Sequence, residues 1–186
     1  AKDNGYYLLG QFSNPVNAET HYHTTGQEIV EEMPQIDIFV AGIGTGGTIM
    51  GVGRRLRKNN PYVRVIGVEP RMGENLQGLR NLSQGFIPPL LNLQELNSRF
   101  LVDSHSAFSM ARSVAKEEGI LIGASSGACL HTALRAAQDI EKGNIVVMFS
   151  DGGWKYLPAR PWEAARQASG ELESGRFSTL IQPKNP

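Results

Sequence analysis

Apolar positions along this chain follow two different periods. Asp37-Ile-Phe-Val-Ala41 and Tyr62-Val-Arg-Val-Ile-Gly-Val-Glu69-Pro70 are short runs rich in β-branched residues, which read as strands. Between them, Ile49, Met50, Val52 and Leu56 recur at helical spacing, and the stretch ends on Arg54, Arg55, Arg57 and Lys58 before Asn59-Asn60-Pro61 stops it. Two strands joined through a helix must lie parallel, so residues 37–70 predict a βαβ unit.

The same reading extends over the rest of the chain. Tyr6-Tyr7-Leu8-Leu9 is a short strand-like run followed by turn-rich residues 10–17, an abrupt opening that suggests the later part of something longer. Thr24 or Thr25 is expected to cap a helix, with Gln27 or Glu28 completing a capping box, and Met33-Pro34 ends it. Residues 71–90 are irregular and punctuated by Gly and Pro, as functional loops are. Asp103-Ser104 caps a helix running to about Glu118, with Phe108, Ala111, Val114 and Ala115 on one face and Gly119 as its stop. Ile120-Leu121-Ile122 reads as a short buried strand, Gly123 to Ala128 opens a helix carrying Leu130, Leu134 and Ala137, and Ile145 to Phe149 is the last strand. The expected fold is therefore α/β, a doubly wound and mostly parallel sheet with helices on both faces. Residues 1–19 read as a segment crossing into the domain, 20–158 as the domain, and 159–186 as a tail in which Pro161-Trp162 begins a helical turn.

The chemistry is concentrated at strand ends. Gly42-Ile-Gly44-Thr45-Gly46-Gly47-Thr48 lies where a strand meets a helix, a place where backbone N–H groups and the positive helix end can hold an anion. Gly42, Gly44 and Gly47 satisfy G-x-G-x-x-G, and Glu69 ends the next strand about where a dinucleotide fold puts its ribose-binding acid. The motif alone admits NAD, another phosphate-bearing cofactor, or a purely structural turn. The glycine loop, Glu69, the Gly123–Ala128 turn and the Ser150–Gly153 turn each follow a predicted strand, so a parallel sheet would bring all four to one edge. His21 and His23 have no third ligand at metal spacing, and Cys129 reads as a helical core residue. By its residue type alone, Arg80 reads first as a surface charge and second as an anion clamp.

Composition narrows the class. Lysine plus arginine and aspartate plus glutamate both number 18, so no basic field points to nucleic acid or a membrane surface. A single cysteine excludes an internal disulfide framework and fits the cytoplasm, and no apolar run is long enough for a membrane span. The partner expected is a small molecule or a protein.

As a set, these residues resemble the fold type II pyridoxal-phosphate enzymes, specifically the cysteine synthases. Gln11-Phe-Ser-Asn-Pro-Val-Asn17 with His21 and Thr25-Gly26 is similar to the segment that crosses into their large domain. Gly42 to Thr48 is similar to their cofactor phosphate loop, Gly119 to Ala128 to their pyridine-nitrogen loop, and Asp151 to Leu157 to their closing motif. The resemblance covers about residues 5–157. It implies that Gly44, Thr45, Gly46, Gly47 and Thr48 hold the 5′-phosphate of pyridoxal phosphate, that Ser125 bonds the pyridine nitrogen, and that Gln11 helps to place the substrate carboxylate. Under it, Glu69 becomes a structural strand end and NAD loses ground.

A finer resemblance runs through Glu69-Pro-Arg-Met-Gly-Glu74, Gly78-Leu-Arg80-Asn81, Gln84 to Pro88 and Asp151-Gly-Gly-Trp-Lys-Tyr156. It is to the branch that uses O-phosphoserine and takes sulfur from a thiocarboxylated sulfur-carrier protein, and it implies that Arg80 recognises the substrate phosphate. The O-acetylserine-specific B-type enzymes share this loop and remain the alternative, as does a non-catalytic remnant that binds a phosphate ligand or a partner protein. A homodimer is implied by resemblance alone. Two features depart from the family. None of the six lysines, Lys2, Lys58, Lys116, Lys142, Lys155 and Lys184, sits in the Schiff-base motif, so this chain alone is expected not to turn over substrate. Leu157-Pro158-Ala159 also replaces the usual Leu-Ser-Thr.

Overall fold

The computed structural model describes residues 5–159. Four strands, β1 (Ile38–Gly42), β2 (Arg64–Pro70), β3 (Ser98–Val102) and β4 (Ile145–Val147), form one sheet in the order β3-β2-β1-β4, and each pairing is parallel. Register runs from Ile38 opposite Arg64 to Gly42 opposite Val68, with Ile38 opposite Ile145 on the other side. Helices α1 (Val16–His23), α2 (Thr25–Glu32) and α3 (Gly47–Asn59) pack with one face, and α4 (Ser104–Glu117) and α5 (Ala124–Ala137) with the other.

Strand alternation makes the two cores. Phe39, Ala41 and Val65 turn towards Ile49, Met50, Val52 and Leu56 of α3, while Ile38, Val40, Ile66 and Val68 turn towards Ala107 of α4 and Ala124, Ala128 and Ala133 of α5. Both faces of β1 and β2 are thus covered, which explains their unbroken apolar runs. The arginines ending α3 tie it down. Arg54 makes a bidentate pair with Glu95 at 2.8 Å, and Arg57 donates to the Glu95 carbonyl at 2.6 Å and to Asn97 Oδ1 at 2.6 Å.

The doubly wound fold expected from the sequence is the one found, with four local corrections. Tyr6 to Leu9 is exposed and forms no strand, because no described strand offers it a ladder of hydrogen bonds. Ile120-Leu121-Ile122 makes only an isolated antiparallel bridge from Ile122 to Gly152, and Ile120 is 52% exposed. Neither Thr24 nor Thr25 caps by its side chain. Helix α1 immediately precedes α2, so the Thr24 hydroxyl donates back to the Thr20 carbonyl at 2.8 Å and Thr25 Oγ1 meets His21 Nδ1 at 3.0 Å. Last, β3 lies in a stretch for which the apolar pattern predicted no strand. It is an edge strand whose Arg99 and Leu101 point to solvent, so its pattern is weak.

Two helix faces are also narrower than their patterns implied. Ala107, Met110 and Val114 are the buried residues of α4, leaving Phe108, Ala111 and Ala115 half-buried, and α5 buries its small residues while Leu130, Leu134 and Ala137 are half-covered. The Asp103 cap is as expected, its Oδ1 accepting from Ser106 N–H at 2.8 Å. The turn at Pro161-Trp162 and the tail beyond it lie outside the described residues.

Candidate functional site

Strand β1 has β2 on one side and β4 on the other, so the chain winds away from it in both directions. Open parallel sheets form their ligand crevice at such a reversal, beyond the carboxyl ends of the strands. A cavity of about 310 Å³ lies there. Gly42, Gly44, Thr45, Gly46 and Thr48 line it from the loop after β1, Ser125 from the start of α5, and Ser150, Asp151 and Lys155 from the turn after β4. Gln77, Gly78 and Leu79 from the long loop close another wall.

The glycine loop is shaped for an anion. Gly46 caps α3 at φ +89°, in the left-handed region that favours glycine. A Cβ on Gly44 would sit 2.6 Å from the Gly78 carbonyl oxygen, so the backbone itself approaches the opposite wall. Among the described residues no acceptor meets the N–H groups of Gly44, Thr45 and Gly46. Thr45 Oγ1 already accepts from Gly47 N–H at 3.2 Å and from Asn17 Nδ2 at 3.1 Å. Gly47 is buried behind the loop, where a Cβ would lie 2.0 Å from Asn17 Oδ1. No carboxylate belongs to this loop, and its unsatisfied donors suit a phosphate ester.

The second loop reaches the same cavity by another route than expected. Ile122 is not in the sheet. Instead Gly123 N–H donates to the Asp151 carbonyl at 3.0 Å and Gly153 N–H to the Leu121 carbonyl at 2.9 Å, clamping the start of α5 to the turn after β4. Ser125 is thereby held at the cavity wall with its hydroxyl unengaged among the described residues. Asp151 Oδ2 accepts from the Tyr156 hydroxyl at 2.8 Å and stands 3.7 Å from Lys155 Nζ, while Oδ1 is buried without a hydrogen-bond partner. Burial, reinforced by that hydrogen bond to Asp151, pushes the Tyr156 phenol up to about 12.

Glu69 does not join them. It is 1% exposed, accepts from Leu82 N–H at 2.8 Å and pairs with Arg99 at 2.9 Å, so both carboxylate oxygens are engaged in holding the 71–90 loop and β3. The four-turn edge expected from the sequence is a three-turn cavity, and the acid that favoured a dinucleotide is structural. Arg80 lines a neighbouring cavity of about 320 Å³ with Glu74, Asn75, Asn81 and Gln84. Its guanidinium stands 5.3 Å from the Phe12 ring and 5.0 Å from the Phe86 ring. Gln11 is exposed and does not line the first cavity; its carbonyl accepts from Asn17 Nδ2 at 2.8 Å. Leu79, shared by the two cavities, is the wall between the glycine loop and Arg80.

His21 is engaged by Thr25 and by Thr48 Oγ1 at 3.1 Å, and no group of three potential metal ligands occurs among the described residues. Burial lowers its pKa. Burial also pushes the Cys129 thiol up to about 12, in keeping with a packed neutral side chain. Sequence reasoning named Asn17 and His21 in the crossing segment and Gly78 and Leu79 in the arginine-bearing loop but gave none of them a place at the glycine loop. Their contacts depend on how α1 crosses α3 and on how the 71–90 loop folds back; Gln77 carried no signal.

Unpaired N–H donors at a switch point, faced by a free hydroxyl at a second helix start, are the geometry of an α/β domain suited to a phosphate-bearing ligand. The chain belongs to the pyridoxal-phosphate dependent enzyme family, which matches residues 1–151. More particularly, it is 41% identical over 166 residues to a cysteine synthase of Staphylococcus aureus, covering 84% of this chain and 54% of that protein. It is 42% identical over 158 residues to a cysteine synthase of Aquifex aeolicus, covering 82% and 48%. The chain thus spans about half the length of the curated relatives it matches. Among solved structures, cysteine synthase from Entamoeba histolytica superposes with a TM-score of 0.81 at 30% identity over 87% of this chain and 51% of that one. A mutant of O-ureido-L-serine synthase with O-ureido-L-serine bound gives 0.80 at 31% identity, over 92% and 60%.

Proposed function

We propose that this chain supplies the phosphate and pyridine-nitrogen contacts of a cysteine synthase, in which residues 20–158 form the cofactor-binding domain and 1–19 lead into it. The observation that carries the proposal is the single cavity shared by Gly44, Thr45, Gly46, Thr48 and Ser125. Pyridoxal phosphate, when bound, supplies an electron sink for replacement at the β-carbon of an amino-acid substrate. The chain's part is to hold and orient it. The backbone N–H groups of Gly44, Thr45 and Gly46 and the Thr45 and Thr48 hydroxyls take the phosphate, with Gly47, expected among the donors, instead bracing Thr45 from behind through its N–H; the Ser125 hydroxyl takes the ring nitrogen. A neutral hydroxyl there, in place of a carboxylate, leaves the ring less protonated and moderates the sink.

For the substrate, the proposal favours O-phosphoserine over O-acetylserine. Arg80 has no ion pair among the described residues, and the two aromatic rings keep its guanidinium beside a cavity rather than spread in solvent. Gln11 is assigned to the substrate carboxylate, and the sulfur donor to a thiocarboxylated carrier protein or sulfide. The complete enzyme is proposed to be a cytoplasmic homodimer. The covalent amine is not assigned to any lysine of this chain: Lys155, the one that lines the cavity, is paired with Asp151.

The test is titration of the full chain with pyridoxal phosphate and with NAD, followed by borohydride reduction and intact-mass measurement. Reversible pyridoxal phosphate binding without a reduced adduct is expected. An adduct on Lys155 would overturn the assignment of the amine elsewhere, and preferential NAD binding would overturn the cofactor.

A further inference from the structure

Helix α1 lies unusually close on the start of α3. A Cβ on Gly51 would fall 2.2 Å from the Ala18 carbonyl oxygen and 2.8 Å from His21 Cβ, and one on Gly47 would fall on Asn17. Asn17 and His21 are one helical turn apart on α1, so this crossing sets both side chains against the back of the glycine loop.

At Asn17 the hydrogen-bond direction is fixed by the partners; at His21 it follows from the tautomer. The Gln11 carbonyl can only accept, so the Asn17 group facing it at 2.8 Å is the amide nitrogen, and the same nitrogen donates to Thr45 Oγ1 at 3.1 Å. Gly47 N–H donates to that oxygen too, which fills its acceptor positions and leaves the Thr45 proton free to point elsewhere. His21 lies between two hydroxyls, Thr25 at Nδ1 and Thr48 at Nε2. If Thr25 donates to Nδ1, Nε2 carries the ring proton and donates to Thr48 Oγ1, and the Thr48 proton is likewise left free. The opposite tautomer would have Nε2 accept the Thr48 proton and turn that hydroxyl's lone pairs towards the cavity, where a phosphate dianion could not use them.

We propose that Asn17 and His21 are positioning residues that set the Thr45 and Thr48 hydroxyls as proton donors to the bound phosphate. The proposal rests on the reading of Gly44–Thr48 as the phosphate loop. It assigns His21 the Nε2–H tautomer before any anion arrives, so the loop is polarised in advance and the hydroxyls need not reorient on binding.

The test has two parts on the full chain. Long-range proton–nitrogen correlation NMR of the neutral His21 ring, assigned by loss of its signals in His21→Phe, is recorded without anion and then with inorganic phosphate. The Nε2–H form is expected in both spectra. The Nδ1–H form in either would overturn the proposal while leaving phosphate uptake, followed on the loop amides, to report on the loop itself. Phosphate affinity is then measured in His21→Phe, Thr48→Val and the double variant. His21→Phe is expected to weaken binding about tenfold in the parent chain and to add nothing once Thr48 has lost its hydroxyl. An equal loss in both backgrounds would make His21 a packing residue and sink the idea. A parent chain that takes up no phosphate overturns the loop reading and the proposal with it.

Discussion

Ser125 and Cys129 lie one helical turn apart at the start of α5 and have opposite prospects. The Ser125 hydroxyl opens to the cavity, so Ser125→Ala is expected to weaken pyridoxal phosphate binding about tenfold while leaving inorganic phosphate binding unchanged, since only the former carries a ring nitrogen. Equal losses for both ligands would place Ser125 at the phosphate end. Cys129 is 1% exposed, and desolvation holds its thiol neutral. Its modification by a disulfide reagent at pH 8 is therefore expected to be slow in the native chain and fast in denaturant; rapid native reaction would contradict the packing described here. Sequence placed both residues on a helix near a glycine turn. The difference between them is position along the helix rather than phase: Ser125 sits in the first turn at the cavity, and Cys129, one turn further on the same face, packs near Gly42, a depth that depends on where α5 docks.

Among the elements, the α1–α3 crossing has the greatest consequence for the site. Gly51→Ala places a methyl against the Ala18 carbonyl, and the expected cost is about 1–3 kcal/mol of stability from overpacking. Because α1 would be displaced, phosphate binding should weaken as well, which paired denaturant and phosphate titrations would detect. Unchanged stability would mean that α1 can move without penalty. The βαβ unit was legible because each element carries its own pattern, an unbroken apolar run over Ile38 to Ala41 and then Ile49, Val52 and Leu56 at helical spacing; which strand residues face which core was not. Helix α1 was not legible. Val16-Asn-Ala-Glu-Thr-His-Tyr-His23 shows almost no apolar stripe, and only Ala18 is buried, because the helix approaches α3 through glycine rather than through large side chains. The Ile120–Ile122 run failed for the opposite reason. Its residues look buried, but the segment adds no strand to the sheet, and a short apolar run carries no information about its neighbours.

For the whole molecule, the acid side of the stability profile should be set first by histidine. Burial lowers the pKa of His21, and burial followed by the nearby Arg135 lowers that of His131. Both are then favoured neutral in the folded state, while the unfolded chain takes up protons at about 6.5. Below that value the unfolded state binds more protons, so stability is expected to be full above pH 6.5 and to fall as pH drops towards the folded-state values. The lowered carboxyls of Glu95 and Asp103 act in a separate, more acidic window. Urea titrations at pH 7.5 and 5.5 would measure the drop, and His131→Gln should reduce it. A flat profile between those values would count against burial as the cause.

By itself the sequence determined what depends on local chemistry. β-Branched runs of the right length made parallel strands, the glycine loop fell between strand and helix with backbone N–H groups left without acceptors among the described residues, and the order of motifs resembled the family to which the chain belongs. Which loops face one another was decided only by the tertiary structure. Glu69 and Ser125 both stand beside glycine-rich or loop-forming sequence, yet one is engaged by Leu82 and Arg99 and the other opens to the cavity. Asn17 and His21 reach the glycine loop across about 28 residues of chain because two helices touch at Gly47 and Gly51. Such contacts follow from the packing of whole elements, in which the position of every side chain depends on where its neighbour's backbone lies, and no window of sequence contains both partners.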